Sequence, residues 1–233
     1  MSKLWQHRLT IITGGYGSGK TEVAINLCLR KRQFYGATPV SLIDLDVVNP
    51  YFRSRDKVEE LEKRGIQVVA PEGELRHADL PALPPSIGGS LSDLRQQVVL
   101  DVGGDPAGAT VLGRYYDLLS VVSYDMILVV NPHRPTTGTV DAVLELMQAM
   151  EHKARLKVTA LCNNTNLMGL TMPEDVVRGQ DFLCDLEART GLSTAFVSCQ
   201  AEIAPEVSSM LPNHLVLPLE LHMLPPWAKG GKL

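Results

Sequence analysis

One octapeptide constrains the fold of this chain more than any other feature. Residues 14–21 read Gly-Gly-Tyr-Gly-Ser-Gly-Lys-Thr and directly follow the apolar run 9–13. They lead into a segment, 20–33, whose apolar residues recur with helical spacing. The pattern G-x-x-x-x-G-K-[ST] between a strand and a helix is the context in which backbone N–H groups cradle phosphate. Glycines supply the positive φ angles that this loop requires. The sequence therefore predicts a phosphate-binding loop (P-loop).

Each position of the P-loop has an expected role in binding a nucleotide. Lys20 is predicted to reach the β- and γ-phosphates as a catalytic cation, and Thr21 to ligate Mg²⁺ through its hydroxyl. Both also count as nucleotide-binding residues. The other predicted nucleotide-binding positions are the donors of the loop itself: Gly15, Tyr16, Gly17, Ser18 and Gly19.

The apolar run 98–102 contains Asp101 and is followed by Gly103-Gly104-Asp105. A carboxylate at the end of such a strand lies beside the Mg²⁺ shell of a P-loop protein, so Asp101 is a predicted metal ligand. Gly104 is predicted to donate its N–H to a γ-phosphate and to sense hydrolysis. Asp105 is expected either to contact the nucleotide or to cap the following helix.

Two further carboxylates, Asp44 and Asp46, close the run 40–46. Residues two apart on a strand point the same way, but the strand ends here, so Asp46 is expected to enter the loop. A carboxylate near a γ-phosphate orients the attacking water or holds a metal-bound water, and we predict both roles for Asp46. Three polar residues follow as candidate contacts to phosphate, substrate or partner: Asn49, Arg53 and Arg55.

Short apolar runs alternate along the chain with segments of helical spacing. The runs are continuously apolar, as they are when helices cover both faces of a sheet. Repeated β–α alternation predicts a mostly parallel sheet with right-handed crossovers. We therefore predict an α/β protein, a three-layer α/β/α P-loop nucleoside triphosphate hydrolase fold, in one domain spanning 1–233. The predicted strands are 9–13, 40–46, 66–70, 98–102, 126–131, 158–162 and 195–198, and the predicted helices are 20–33, 51–64, 111–122, 137–153 and 173–189.

Two proline-rich segments do not follow this alternation. Residues 71–92 contain four prolines and no periodicity, which predicts a functional loop or lid. Its Arg76 and His77 are candidate acceptor-side residues. Residues 212–233 are expected to form a C-terminal tail, because prolines interrupt any helix or strand there.

Composition narrows the classes of partner and compartment. The net charge of −4 argues against general electrostatic binding of nucleic acid. No run is long enough to span a bilayer, and the tail cannot form an amphipathic membrane helix. The four cysteines, at 28, 162, 184 and 199, are scattered without CxxC pairs, which indicates buried thiols in a reducing compartment. These observations predict a cytoplasmic protein with no membrane and no nucleic-acid partner.

A glycine-extended P-loop, then Asp44-Leu45-Asp46, then Asp101-x-x-Gly104, resembles the MinD/ParA/nitrogenase-iron-protein/arsenite-pump ATPases (the SIMIBI class). The resemblance implies a Mg²⁺-dependent ATPase that binds ATP or ADP. In that family the loop begins with a lysine that reaches the partner's phosphates across a nucleotide-sandwich homodimer. Thr13 takes that place here, so the resemblance leaves a homodimer open, with Arg53 or Arg55 as replacement cations.

Loops after two late strands resemble the base-binding side of such proteins. Cys162-Asn163-Asn164-Thr165-Asn166 stands where related GTPases carry Asn-Lys-x-Asp, whose carboxylate pairs with guanine. Asn166 at the fourth position favours adenine over guanine, and Asn163 is the predicted base or ribose contact. Residues 198–205 resemble an adenine-side loop or form a plain turn.

His133 and Arg134 follow the predicted strand 126–131 and are candidate contacts to a substrate or partner. In the alternative interpretation they lie in a solvated loop, and Thr136 or Thr137 caps the helix that follows.

These features predict a Mg²⁺-dependent ATPase that acts as a switch on a partner protein. An ATP-dependent small-molecule kinase or ligase on the same fold is the alternative. A GTPase metallochaperone and a non-hydrolysing nucleotide-binding subunit are further possibilities.

Overall fold

The computed structural model describes residues 7–46, 57–70 and 85–223. Within these residues, eight strands form one sheet in the order β3-β2-β4-β1-β5-β6-β7-β8, and every pairing is parallel. The strands are β1 (Leu9–Gly14), β2 (Val40–Leu45), β3 (Ile66–Val69), β4 (Gln97–Val102), β5 (Tyr124–Val130), β6 (Ala160–Asn163), β7 (Thr194–Gln200) and β8 (Val216–Leu219).

Helices connect the strands, as parallel pairing requires. They are α1 (Lys20–Tyr35), α2 (Val58–Lys63), α3 (Pro85–Ser92), α4 (Pro106–Gly113), α5 (Tyr116–Leu119), α6 (Val140–Ala154), α7 (Pro173–Thr190) and α8 (Ala204–Met210), with a 3₁₀ turn at Pro135–Thr137. The predicted fold class, a layered α/β P-loop NTPase-like fold on a parallel sheet, is confirmed.

The two faces of the sheet carry separate apolar cores. On one face, Ile12, Leu42 and Val99 pack with α1 and with Leu61 of α2. The opposite face packs against α3 to α7, through residues such as Ile87, Val143 and Leu183. Because successive strand residues point to opposite faces, Asp44 and Asp101 share the face on which α1 lies. The fold thus brings two carboxylates to the helix that follows the P-loop.

The strand order creates a crevice at the carboxyl end of β1. β1 lies inside the sheet, between β4 and β5. The strands β2 to β4 lie on one side of β1, and the strands β5 to β8 lie on the other. Ligands of open α/β sheets bind at such a switch point. The P-loop follows β1 directly and therefore lies in this crevice.

Three sequence-based assignments were wrong. The predicted helix 111–122 is two short helices, α4 and α5, because Asp105 and Pro106 start the first one early and Gly113 ends it against the Lys153 carbonyl. Residues 85–92 of the proline-rich segment are helical, as α3, while 71–84 lie outside the described residues. Within the predicted tail, residues 216–219 form strand β8.

β8 is ordered by partners that are distant in sequence. Pro218 is tolerated because β8 is an edge strand and β7 donates to it, with Val197 N–H bonding Leu215 O at 2.8 Å. Beyond β8, the Asn26 amide donates to Glu220 O at 2.9 Å and accepts from Glu220 N at 2.8 Å. Glu22 accepts from the N–H groups of His222 and Met223 at 2.7 and 2.9 Å. Side chains of α1 thus hold the chain as far as residue 223.

Lys31 places an ammonium inside the protein at the opposite end of α1. Its side chain is 0% exposed, and Nζ donates to His7 O at 3.2 Å and to Gln97 Oε1 at 3.0 Å. Desolvation lowers the pKa of Lys31 from 10.5 to about 8. The unfolded chain therefore binds more protons than the native state between these values, and stability rises with pH in that window.

We expect the free energy of unfolding of the wild type to gain about 2 kcal/mol relative to Lys31→Met between pH 7 and pH 9.5. Denaturant titrations of both proteins across that range measure the difference. Arg30→Met, an exposed change one residue away, serves as control and should follow the wild type. Parallel curves for the wild type and Lys31→Met would show that Lys31 titrates normally.

Candidate nucleotide site

The P-loop turns sharply at its glycines before α1 begins. Gly17 and Gly19 have φ of 73° and 87°, and Gly19 is the N-cap of α1. A Cβ at Gly19 would collide with the side-chain amide of Asn164, so both conformation and packing require glycine there. The loop is closed by a hydrogen bond from Ser18 N to Gly15 O at 3.1 Å. The predicted loop residues 15–21 are thus brought together at the N-terminus of α1.

Two carboxylates lie beside the start of α1. Asp44 and Asp101 are register partners on β2 and β4, and both are 0% exposed. Burial, then repulsion from Asp44, raises the pKa of Asp101 to about 8, while the Lys20 ammonium opposes this rise. The Thr21 hydroxyl is near enough to stabilise the charged form but not in hydrogen-bonding geometry, so neither Asp101 oxygen has a partner among the described residues.

Unpartnered buried carboxylate oxygens beside a hydroxyl are suited to a hard cation. Mg²⁺ prefers oxygen ligands and is usually bound by one or two protein groups together with substrate phosphates. Within the described residues, no three His, Cys, Asp or Glu side chains form a ready-made metal cage. Asp101 and Thr21 therefore fit a Mg²⁺ that is completed by its nucleotide, and the metal assignments remain predictions.

Asp46 stands at the end of β2 and is 4% exposed. A Cβ at Gly103 would lie 3.2 Å from its Oδ1, which places the carboxylate against the backbone after β4. The Asp46 N–H bonds Asp44 Oδ1 at 3.0 Å, which turns the chain at this point. Its negative charge also contributes to the raised pKa of Asp101. Asp46 is thus near Asp44 and Asp101, and its role toward water or metal stays a prediction.

Gly104 closes the site from the β4 side. A Cβ at this position would come within 2.7 Å of Lys20 Nζ and 3.0 Å of the Tyr16 backbone. Because Gly104 has no side chain, the Lys20 ammonium lies against the backbone that follows β4. Lys20 itself is 7% exposed. Of the two roles considered for Asp105, capping is confirmed: it accepts from Gly108 N at 2.6 Å.

The turn after β5 packs on the other side of the P-loop. A Cβ at Gly15 would meet Thr136 Oγ1 at 2.9 Å and Thr137 Cγ2 at 3.2 Å. Arg134 donates from Nε to Gly17 O at 2.9 Å, whereas His133 is exposed. Neither Thr136 nor Thr137 caps α6, because Thr139 accepts from Ala142 N at 3.2 Å.

The loop after β6 holds the P-loop through Asn164, which the sequence analysis did not single out. Asn164 Nδ2 donates to Ser18 O at 2.7 Å, and its Oδ1 accepts from Ser198 at 2.9 Å. Asn163 points the other way: its amide donates to Val176 O at 3.0 Å and accepts from Thr165. The Asn163 side chain is thus used in contacts with α7 and with Thr165. A base contact by Asn163 stays a prediction.

The strand alternation could have identified Asn164. Cys162 belongs to the core on the α1 face, so residue 164 shares that face and residue 163 does not. Thr13 obeys the same rule and points to the opposite face, where its hydroxyl bonds Met150 Sδ at 3.3 Å. Five other candidates, Asn49, Arg53, Arg55, Arg76 and His77, lie outside the described residues.

No protein-family model matches this sequence, and no curated protein is significantly similar to it. Solved structures share its fold. The cell division protein FtsY of Thermotoga maritima aligns at a TM-score of 0.54 and 17% identity, over 82% of this chain and 60% of its own. The signal recognition particle receptor FtsY of Elizabethkingia anophelis, in complex with GDP, aligns at 0.51 and 16%, over 82% and 56%. This chain thus spans less than two thirds of either protein.

In the part of the chain that the structure describes, no helix combines the length and apolarity needed to cross a membrane.

Gly104→Ala tests the close contact between the β4 loop and Lys20. The added methyl group must displace Lys20 or the Tyr16 backbone, so we expect nucleotide affinity to fall roughly 10-fold or more while the protein stays folded. Isothermal titration calorimetry with ATP and Mg²⁺ measures the affinity. Gly88→Ala, where a Cβ meets nothing within 4 Å, is the matched control. Equal affinities for both variants would remove Gly104 from the site.

Proposed function

We propose that this protein binds ATP with Mg²⁺ on residues 14–21 and hydrolyses it, as a switch that acts on a partner protein. One observation carries the proposal: a buried lysine, a glycine backbone and an unpartnered carboxylate converge on a glycine loop at a helix N-terminus. The fold shared with a GDP-bound protein supports a nucleotide as the ligand.

Each residue of the proposed site has its own role in phosphoryl transfer, which follows from its position and charge. Thr21 and Asp101 would hold Mg²⁺, which neutralises phosphate charge when it is bound. Lys20 stabilises the negative charge of the transferring group, and Asp46 orients the attacking water from the end of β2. Gly104, in contact with Lys20, presents its backbone to the terminal phosphate.

Adenine is favoured because a guanine-pairing carboxylate is absent from the loop after β6. Residues 163–173 contain no Asp or Glu, whether Asn163 or Asn164 is matched to the first position of the guanine-binding motif. The loop instead presents amides, of which Asn164 and Asn166 lie next to Gly19. A competition between ATP and GTP tests this preference.

A switch requires that the site be connected to movable structure. Gly103 lies against Gly108, a Cβ at Gly103 coming within 3.1 Å of the Gly108 Cα, and Gly108 is in α4, whose N-cap is Asp105. A phosphate placed on Lys20 and Gly104 would therefore act on the start of α4. We propose α4 as the element that reports nucleotide state to the partner.

Lys20→Ala is expected to lower ATP turnover about 100-fold or more, because the transition state loses its principal protein cation. Release of ADP and phosphate from protein, ATP and Mg²⁺ alone measures the rate. Lys157→Ala, whose side chain is 81% exposed, is the charge-matched control. If the wild type turns over ATP only when a small acceptor is added, the kinase or ligase alternative replaces the switch. Unchanged binding and turnover in Lys20→Ala would disprove the site.

A further inference from the structure

Arg134 places a guanidinium directly on the outer turn of the P-loop. Its Nε donates to Gly17 O at 2.9 Å, and a Cβ at Gly17 would lie 3.5 Å from Arg134 Nε and 3.9 Å from Cζ. These are ordinary van der Waals distances, so the guanidinium packs directly against this turn of the loop. The side chain is half-buried on a residue that belongs to a different strand end, 117 positions along the chain.

Hydrogen bonds of Asn131 and Thr137 hold the turn that carries Arg134. Asn131 is 0% exposed, donates to Asn166 O at 3.0 Å and accepts from His133 N at 3.1 Å. Thr137 donates from Oγ1 to Asn131 O at 2.6 Å, and its N–H bonds Arg134 O at 3.0 Å. The position of the guanidinium is therefore set in advance by the protein, as preorganised electrostatic stabilisation requires.

The side chain of Arg134 has no counter-ion among the described residues, because no carboxylate there forms an ion pair with it. The one hydrogen bond of its side chain in this part of the protein uses Nε. The terminal nitrogens, which form the fork that binds phosphate oxygens, have no acceptor in this part of the protein. Among the acidic groups of the site, Asp101 interacts with Lys20 instead.

We propose that Arg134 is a catalytic arginine supplied in cis, whose terminal nitrogens bind the γ-phosphate of ATP while Nε stays on Gly17. This inference rests on the proposed ATPase function. In the step, the oxygen of water bonds the γ-phosphorus and the bond from that phosphorus to the β–γ bridging oxygen breaks. ADP leaves with the electron pair, and the proton of the water passes to the released phosphate. Arg134 stabilises the charge that spreads over the transferring group.

The first test separates catalysis from support of the loop. Arg134→Ala should lower kcat at least about 100-fold while changing the affinity for ATP less than about threefold. Affinity for ADP with aluminium fluoride, a mimic of the transferring phosphoryl group, should fall by a similar factor to kcat. Guanidinium ion added at millimolar concentration should restore part of the turnover of Arg134→Ala. Arg178→Ala, an exposed arginine on α7, is the control.

The outcomes distinguish this inference from the function on which it rests. A wild type that binds no nucleoside triphosphate overturns both. A wild type that binds ATP, together with an Arg134→Ala that retains kcat and the aluminium fluoride affinity, overturns the catalytic arginine alone. Equal losses of ATP and aluminium fluoride affinity, with no rescue by guanidinium, would assign Arg134 to holding Gly17 and also overturn the proposal.

Discussion

Lys20 places an ammonium group inside the protein, 7% exposed, where α1 begins and the strands β2 and β4 end. A buried charge costs several kcal/mol unless opposite charges surround it. Asp101 is close enough to Lys20 for the ammonium to favour its charged form, but burial and repulsion from Asp44 outweigh this and raise the pKa of Asp101. Carboxylates and ammonium are therefore held together by the sheet in an arrangement that a phosphate–metal complex would complete.

This arrangement depends on backbone positions more than on the loop sequence itself. Three strand ends contact the P-loop: Gly104 after β4, Thr136 and Arg134 after β5, and Asn164 after β6. Because parallel strands align their carboxyl ends, the topology alone delivers these groups to one edge. The sequence then places a glycine or a polar side chain at each of these strand ends.

The local part of the site could be predicted from sequence, whereas its supports could not. The P-loop and Asp101 are recognisable because glycine, lysine and aspartate stand within a few residues of each strand end. Asn164 was missed because its role depends on which face of β6 it occupies, and its neighbour Asn163 carries the same side chain. β8 was missed because Pro218 signals irregular chain, and what orders the segment beyond it is a pair of side chains from α1.

The source of positive charge at the γ-phosphate decides what a P-loop protein can do alone. A lysine supplied by a second subunit makes hydrolysis depend on assembly. Thr13, whose hydroxyl bonds Met150 inside the core, cannot act in that way. Arg134 comes from the same chain on a turn fixed by Asn131 and Thr137, so no partner is needed to position it. A partner would then act on this site by moving α4, and not by contributing a catalytic charge.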